Sequence, residues 1–126
     1  MGRKAFTAKG AVSVGPYSHA AESGGFVYLS GQTPIDPATG KIAEGDIQAQ
    51  TRQTFANLFK VLEAAGLTGD DVVKTTVFLT DMGNFKAMNE VYASQFTTPY
   101  PARTTIGVKE LPLGALIEIE MVAARP

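Results

Sequence analysis

The spacing of hydrophobic positions changes several times along this 126-residue chain, and each change predicts a new element. Residues 20–22 and 26–30 are short apolar runs on either side of Ser23-Gly24-Gly25, a pattern typical of a β-hairpin. In the following stretch, 31–45, the run Asp36-Pro37-Ala38-Thr39-Gly40 predicts a turn. This part of the chain is therefore predicted to consist of short strands and turns.

From Asp46 onward the apolar residues recur at three- and four-residue steps, as on one face of an amphipathic helix. Asp46 is the predicted N-cap, because its carboxylate can accept hydrogen bonds from the first free amides, and Gly66 is the predicted stop. The residues that carry this period are Ile47, Thr51, Phe55, Leu58, Phe59, Leu62 and Ala65.

Four further elements follow. In chain order they are a β-branched strand at 72–80, a helix at 81–96 that ends before Pro99 and Pro101, and strands at 104–108 and 116–123. This order predicts one domain, 1–126, with an α+β fold. We expect a two-layer sandwich, in which a mixed β-sheet carries both helices on one face.

The strand at 72–80 predicts that the other face of the sheet also needs a cover. Alternation directs Val73, Val77 and Leu79 to one face, and Val72 and Phe78 to the other. Both faces are thus apolar, although two helices can cover only one of them. Self-association is the simplest way to bury the second face.

Composition narrows the functional classes. The chain is 44% hydrophobic with a net charge of −1, so we expect a folded protein without the basic excess that phosphate-dominated nucleic-acid binding requires. It has no cysteine and a single histidine, which excludes thiolate nucleophiles and metal sites built on several imidazoles or sulfurs. No apolar run suits a signal peptide or a membrane span, so a soluble cytoplasmic protein is expected.

Glu118 and Glu120 are the candidate acid–base residues, because they lie in a strongly apolar strand and share one face of it. One interpretation is that this face is simply solvated. The other is that one carboxylate is half-buried beside a cation and suited to proton transfer. Arg103 is the candidate cation. Without other information the residue pattern favours the alternative, a surface arginine that caps a strand.

Other polar residues give weaker signals. Ser18 and His19 are adjacent, so in an extended segment they point to opposite sides and cannot act as a nucleophile–base pair. Ser30-Gly31-Gln32 ends the hairpin, where a glycine would also let a ligand approach the backbone. No phosphate-binding loop or dinucleotide fingerprint occurs.

Seven short motifs follow one another along the chain: Val14-Gly15-Pro16-Tyr17-Ser18, Leu29-Ser30-Gly31-Gln32-Thr33-Pro34, Glu63-Ala64-Ala65-Gly66-Leu67, Val73-Lys74-Thr75-Thr76-Val77-Phe78-Leu79, Met88-Asn89, Pro101-Ala102-Arg103 and Ile117-Glu118-Ile119-Glu120. In order and spacing they resemble landmarks of the reactive-intermediate deaminase (RidA, or YjgF) family. The resemblance implies a chorismate-mutase-like α+β fold and a homotrimer with clefts at its subunit interfaces. It also implies hydrolysis of 2-imino acids, such as 2-iminobutanoate and 2-iminopropanoate, or of their enamine tautomers, to 2-keto acids and ammonia, without a cofactor.

The resemblance also implies roles for individual residues. Arg103 would bind the substrate carboxylate through two parallel hydrogen bonds, and Glu118 would activate the attacking water and transfer protons. The remaining residues that would contact the ligand are Tyr17, Ser30, Gly31, Asn89 and Thr105. Thr105 stands where the family often has cysteine, which leaves the substrate range open. Glu120 matches no catalytic position.

Two other functions compete with deamination. Family members have been described as translation inhibitors with ribonuclease activity, but no basic stripe for RNA is visible in this sequence. A non-catalytic ligand-binding module or chaperone trimer with the same fold is the second alternative.

Overall fold

The computed structural model describes residues 2–10 and 14–126, and its centre is a six-stranded mixed sheet. The strands and helices are β1 Lys4–Phe6, β2 Ala20–Ser23, β3 Phe26–Gln32, β4 Ile35–Asp36, β5 Lys41–Ile42, α1 Ile47–Ala64, β6 Val72–Leu79, α2 Phe85–Gln95, β7 Ala102–Gly107 and β8 Ile117–Ala124. The sheet order is β1-β2-β3-β8-β6-β7, in which β6 and β7 are parallel and all other neighbours antiparallel. Strands β4 and β5 form a separate small hairpin.

The predicted turns and helix ends are confirmed. Gly24 and Gly25 have φ of 63° and 83°, which the two-residue turn between β2 and β3 requires and which glycine adopts without steric cost. At the start of α1 the Asp46 carboxylate accepts from the Ala49 amide at 3.0 Å. Gly66 follows the helix with φ of 76°, the left-handed conformation that commonly ends a helix.

Buried polar side chains of α1 fix the loops that lead into the sheet. Gln50 Oε1 accepts from the Leu116 amide just before β8 at 2.9 Å. Asn57 Nδ2 donates to the carbonyls of Thr33 and Ile35 at 3.1 and 2.9 Å, just after β3. The helix therefore determines where the two central strands begin and end, in addition to covering the core.

Both helices pack on the same face of the sheet, as predicted. The core contains apolar residues of α1, α2 and the inward positions of β3, β6 and β8. At the α2 end, the Tyr92 hydroxyl is 2.7 Å from Thr75 Oγ1 of β6, and both residues are buried. In the described part of the chain no helix combines the length and hydropathy needed to cross a membrane.

The opposite face, which we call the open face, is uncovered in one chain. Phe26, Tyr28 and Ile106 are 44%, 51% and 42% exposed there. The prediction for the first residues of β6 is wrong, because Val72 is buried on the helix side and Val73 is exposed. An irregularity in the pairing with β8 between residues 72 and 74 inserts one residue and reverses the alternation.

Arg125, directly after β8, connects the end of that strand to three other parts of the fold. Its guanidinium donates to both carboxylate oxygens of Glu22 in β2, at 2.9 and 3.1 Å. It also donates to the carbonyl of Ala65 at the end of α1 and lies 5.6 Å from the ring centroid of Phe6 in β1. A cation is favourable at the C-terminal end of a helix, where free carbonyls concentrate negative charge.

The ion pair between Arg125 and Glu22 predicts a pH-dependent contribution to the free energy of unfolding. Arg125 holds the pKa of Glu22 below its ordinary value, mainly through their hydrogen bonds. The ion pair therefore stabilises the fold fully above the pKa that Glu22 has in the unfolded chain. This stabilisation is lost as the pH falls through the lower pKa that Glu22 has in the folded protein. We expect Glu22→Gln to lower the thermal unfolding midpoint at pH 7, and the difference from wild type to shrink between about pH 5 and about pH 2. Glu63→Gln, at an exposed position of α1, is the control. A difference that stays constant over this range would contradict the role of the ion pair.

Candidate functional site

Strand β8 carries the two glutamates identified in the sequence. Ile117, Ile119 and Met121 are buried against the helices, so alternation directs Glu118 and Glu120 to the open face. Glu118 is half-buried, whereas Glu120 is exposed. The two carboxylates therefore share a face but differ in their contact with water.

A bulge in β3 shapes the surroundings of Glu118. Ser30 and Gly31 both lie opposite Glu120, because the pairing of β3 with β8 shifts between residues 29 and 32. Gly31 packs directly against the Glu118 side chain: a Cβ at this position would overlap Glu118 Oε2 and lie 2.9 Å from its Cδ. Gly31 does not have a positive φ, so the position needs glycine for space rather than for backbone freedom.

Ser30 connects this bulge to the segment before β2. Its hydroxyl donates to the Ser18 carbonyl at 2.6 Å, and its amide donates to the His19 carbonyl at 2.9 Å. Tyr17 comes directly before this anchored segment and is exposed. Together these elements enclose a cavity of about 410 Å³, here called the glutamate cavity, which is lined by Val14, Tyr17, Ser30, Gly31, Thr33, Pro112, Glu118 and Glu120.

The surroundings of Glu118 raise the pKa of its carboxyl group. Burial raises the pKa of Glu118 above its ordinary value, and the negative charge of Glu120 raises it further. A carboxyl group with a raised pKa can take up and release a proton closer to neutral pH, as general acid–base chemistry requires. Neither glutamate has an ion-pair partner among residues 2–10 and 14–126.

Arg103 lies on the edge strand β7 and is held by aromatic rings. Its guanidinium carbon is 4.6 Å from the ring centroid of Tyr92 and 5.6 Å from that of Phe85, both on α2. Tyr92 is itself fixed by its hydrogen bond to Thr75. Within the described residues the Arg103 side chain has no carboxylate partner, and none of its guanidinium N–H groups makes a hydrogen bond. The side chain is oriented, yet its donors remain available for a ligand.

A second pocket surrounds this arginine. It has a volume of about 300 Å³, is called the arginine pocket here, and is lined by Asn89, Tyr92, Ala93, Tyr100, Pro101 and Arg103. Asn89 Oδ1 is buried without a hydrogen-bond partner in the described structure, and so is Thr105 Oγ1, two residues after Arg103 on the same strand face. Buried polar atoms of this kind are uncommon in folded proteins and mark positions where a ligand or a water can bind.

The two pockets lie on opposite faces of the sheet in one chain. Arg103 pairs with Thr75, whose side chain contacts α2, whereas Glu118 pairs with Phe78 on the open face. The expectation that a half-buried glutamate of this strand pairs with Arg103 is therefore wrong within a single chain. Tyr17, Ser30, Gly31 and Glu118 are brought together, and Asn89 and Arg103 are brought together, but the two sets are separate.

The remaining sequence candidates form no additional site. His19 is buried, its Nδ1 accepts a hydrogen bond from the Ala8 amide at 3.1 Å, and within the described residues its ring makes no hydrogen bond to the neighbouring Ser18 hydroxyl. Among the described residues no three histidine, aspartate or glutamate side chains are grouped so that they could hold a metal ion.

Several residues at the two pockets were not identified as site residues from the sequence. Phe85 and Tyr92 lie seven residues apart in the predicted helix at 81–96, so they share one side of it, but only the structure shows that both rings contact Arg103. Ala93, Tyr100 and Pro112 carried no signal beyond their proximity to a predicted site residue or loop.

Comparison with known proteins identifies relatives along almost the whole chain. A family model described as Endoribonuclease L-PSP matches residues 7–125. The chain is 50% identical over 118 residues to a RutC family protein of Pyrococcus horikoshii, and the alignment covers 94% of each. It is 44% identical over 117 residues to the chloroplastic Reactive Intermediate Deaminase A of Arabidopsis thaliana, covering 93% of this chain and 63% of the plant protein.

Solved structures share the fold. The structure of RidA from the Antarctic bacterium Psychrobacter sp. superposes with a TM-score of 0.91 and 42% identity, covering 97% of this chain and 99% of that one.

The contact between Gly31 and Glu118 is testable. We expect Gly31→Ala to fold, because its backbone conformation suits alanine, but to push the Glu118 carboxylate toward water and lower its pKa. The measurement is a carbon-13 NMR titration of glutamate carboxyl groups, with the Glu118 signal assigned by its absence in Glu118→Gln. Gly69→Ala is the control, because its added Cβ makes only ordinary contacts, the nearest at 3.5 Å. An unchanged Glu118 titration in Gly31→Ala would contradict the steric argument.

Proposed function

The chain belongs to the Endoribonuclease L-PSP family, also known as the YjgF or RidA family, and on this premise we propose that it is a deaminase of reactive 2-imino acids. Its substrates would be 2-iminobutanoate, 2-iminopropanoate and their enamine tautomers, and its products 2-keto acids and ammonia. The relative from Arabidopsis supports this assignment through its name, Reactive Intermediate Deaminase A. The observation that carries the proposal is an oriented arginine without a partner, together with a half-buried carboxyl group of raised pKa.

The two pockets are proposed to be halves of one site that forms between two copies of the chain. The arginine pocket of one copy would face the glutamate cavity of the next, as in a ring closed by one repeated contact between two different surfaces. The apolar residues of the open face, among them Phe26, Tyr28 and Ile106, are available to be buried between copies. We propose a homotrimer with a cleft at each of its subunit interfaces.

Arg103 would bind and orient the substrate. A guanidinium binds a carboxylate through two parallel hydrogen bonds, and the rings of Phe85 and Tyr92 already restrict its rotation. Less conformational entropy is therefore lost when the ligand binds. Asn89 Oδ1, which lacks a partner in the described structure, would accept a hydrogen bond from the ligand or from a water beside it.

Glu118 would carry the proton transfers. As a carboxylate it takes a proton from a water whose oxygen attacks C2 of the protonated imine, while the C=N electron pair moves to nitrogen. The protonated carboxyl then returns this proton to the amino nitrogen. The C–N bond breaks and ammonia leaves, while the hydroxyl on C2 becomes the C=O group and gives its proton to the Glu118 carboxylate, which passes it to solvent. A group near its pKa performs both halves of this cycle. Tyr17, Ser30 and Gly31 would form the wall that holds the water against C2.

Cleavage of RNA fits the same residues less well. The glutamate cavity presents two carboxylates and the arginine pocket one cation, so a phosphate backbone would meet net negative charge there. The chain as a whole has eleven basic against twelve acidic residues. A titration with single-stranded RNA at several salt concentrations tests this alternative, and tight, strongly salt-dependent binding would favour it over the deaminase.

Substitutions at the two key residues should separate binding from chemistry. We expect Arg103→Lys to raise KM by more than about tenfold, because an ammonium cannot reproduce the planar fork. Glu118→Gln should keep the affinity for a 2-keto acid but lower kcat roughly a hundredfold. The assay follows 2-ketobutyrate release from threonine by a threonine dehydratase, above the uncatalysed rate.

Arg52→Lys, at an exposed position of α1, is the control for the first substitution. If Glu118→Gln hydrolysed the imine at the wild-type rate, Glu118 would be only a solvated strand residue. If the wild-type protein bound the keto acid but did not accelerate imine hydrolysis, it would be a binding module.

Mixing two inactive variants tests whether the site is shared between copies. Arg103→Ala and Glu118→Gln chains that are unfolded and refolded together at equal amounts should regain about a quarter of the wild-type activity, since that fraction of interfaces combines an intact arginine with an intact glutamate. Each variant refolded alone is the control. Absence of any recovery in verified mixed oligomers would refute the composite site.

A further inference from the structure

Glu120 has no assigned role, yet its position relates it directly to Glu118. The two side chains lie two residues apart on one strand and on one face, and both line the glutamate cavity. The Glu120 side chain is exposed, and its carboxylate makes no hydrogen bond or ion pair with any residue of 2–10 or 14–126. No direct contact in the described structure therefore neutralises this carboxylate.

The other charged and titratable groups near this pair are few. Across the sheet, Lys74 of β6 is a diagonal neighbour of Glu120, but its ammonium donates to Thr104 Oγ1 at 3.0 Å. The phenol of Tyr28 on β3 is the diagonal neighbour on the other side, and that of Tyr17 lines the cavity.

We propose that Glu120 is a positioning residue that acts through Glu118: it does not touch the substrate, and it makes Glu118 retain the proton that must be returned to the leaving ammonia. This inference rests on the proposed deaminase function. It assigns the second glutamate of the strand to the same reaction.

The physical basis is a carboxylate pair with unequal surroundings. Two negative charges in one cavity repel each other, so a proton taken up by either group lowers the free energy of both. Glu118 is packed against Gly31 and partly removed from water, whereas Glu120 is solvated, so the proton resides on Glu118. The direction of the pKa change of Glu118 agrees with this assignment, although burial contributes more to it than Glu120 does.

The sign of the pH effect follows. The attack on C2 needs ionised Glu118, so activity falls as the pH drops through the pKa of this group. Removing the charge of Glu120 lowers that pKa, and the acid limb of the pH profile moves to lower pH. On that limb, kcat/KM of Glu120→Gln should exceed the wild-type value by about threefold or more, and added salt should reduce the difference.

The experiment compares three full-length variants with wild type. Glu120→Gln removes the charge, Glu120→Asp keeps it, and Glu63→Gln removes one charge from the exposed side of α1 as a matched control. The readouts are the pH profile of kcat/KM in the dehydratase-coupled assay and the carbon-13 carboxyl titration of Glu118. We expect the acid limb of the pH profile and the titration of Glu118 to move to lower pH in Glu120→Gln, and neither to move in Glu120→Asp or Glu63→Gln.

Three results would overturn the inference. They are an unchanged Glu118 titration in Glu120→Gln, an equal shift in Glu63→Gln, and a loss of kcat in Glu120→Gln at every pH with a normal Glu118 titration. The last would indicate that Glu120 contacts the substrate itself. Failure of the proposed function is distinguishable, because the NMR titration needs no turnover. If Glu120→Gln shifts the Glu118 titration but the wild-type protein does not hydrolyse imines, the effect of Glu120 on Glu118 is supported and the deaminase function is rejected.

Discussion

Two helices cover one face of the six-stranded sheet, and the placement of the candidate functional residues follows from that limit. In β8, burial of Ile117, Ile119 and Met121 under the helices forces Glu118 and Glu120 outward onto the open face. If this strand shifted by one residue, both carboxylates would enter the core, at a large cost in desolvation. The apolar positions of β8 therefore fix its register, and the register places the carboxylates.

Two irregularities in strand pairing then change the surroundings of individual side chains on the open face. The bulge at Ser30 and Gly31 brings a residue without a side chain against Glu118, and the resulting partial burial is the main reason that the pKa of this group is raised. Bulges are common beside functional sites because they redirect one side chain without disturbing the rest of the strand. A second irregularity, at the start of β6, reverses Val72 and Val73 and leaves an apolar side chain on the open face.

Features that depend on residues adjacent in the sequence were predictable, whereas features that depend on which strands pair, and in which register, were not. The turn at Gly24-Gly25, the cap at Asp46 and the order of the main elements follow from local signals. β1 was not predicted, because a strand of three residues is too short to show an alternation of hydrophobic and polar positions. The face of Arg103 could not be derived either: alternation groups it with Thr105, but only the pairing of β7 with β6 decides toward which layer that group points.

The division of charge between the two pockets matches the charge distribution of the proposed substrate. A protonated 2-imino acid carries a carboxylate and, one bond away, a cationic iminium carbon that water must attack. A single cation in the arginine pocket suits the first group, and the two glutamates of the glutamate cavity suit the second if the two pockets meet as proposed. Electrostatic complementarity of this kind favours one orientation of the ligand and opposes the reverse one. It also opposes ligands with a second anionic group, which would lie against Glu118 and Glu120. Within the proposed function, the composite arrangement would thus select small zwitterionic imines by charge alone, and would leave the shape of the side chain to Ala93 and Tyr100 in the arginine pocket.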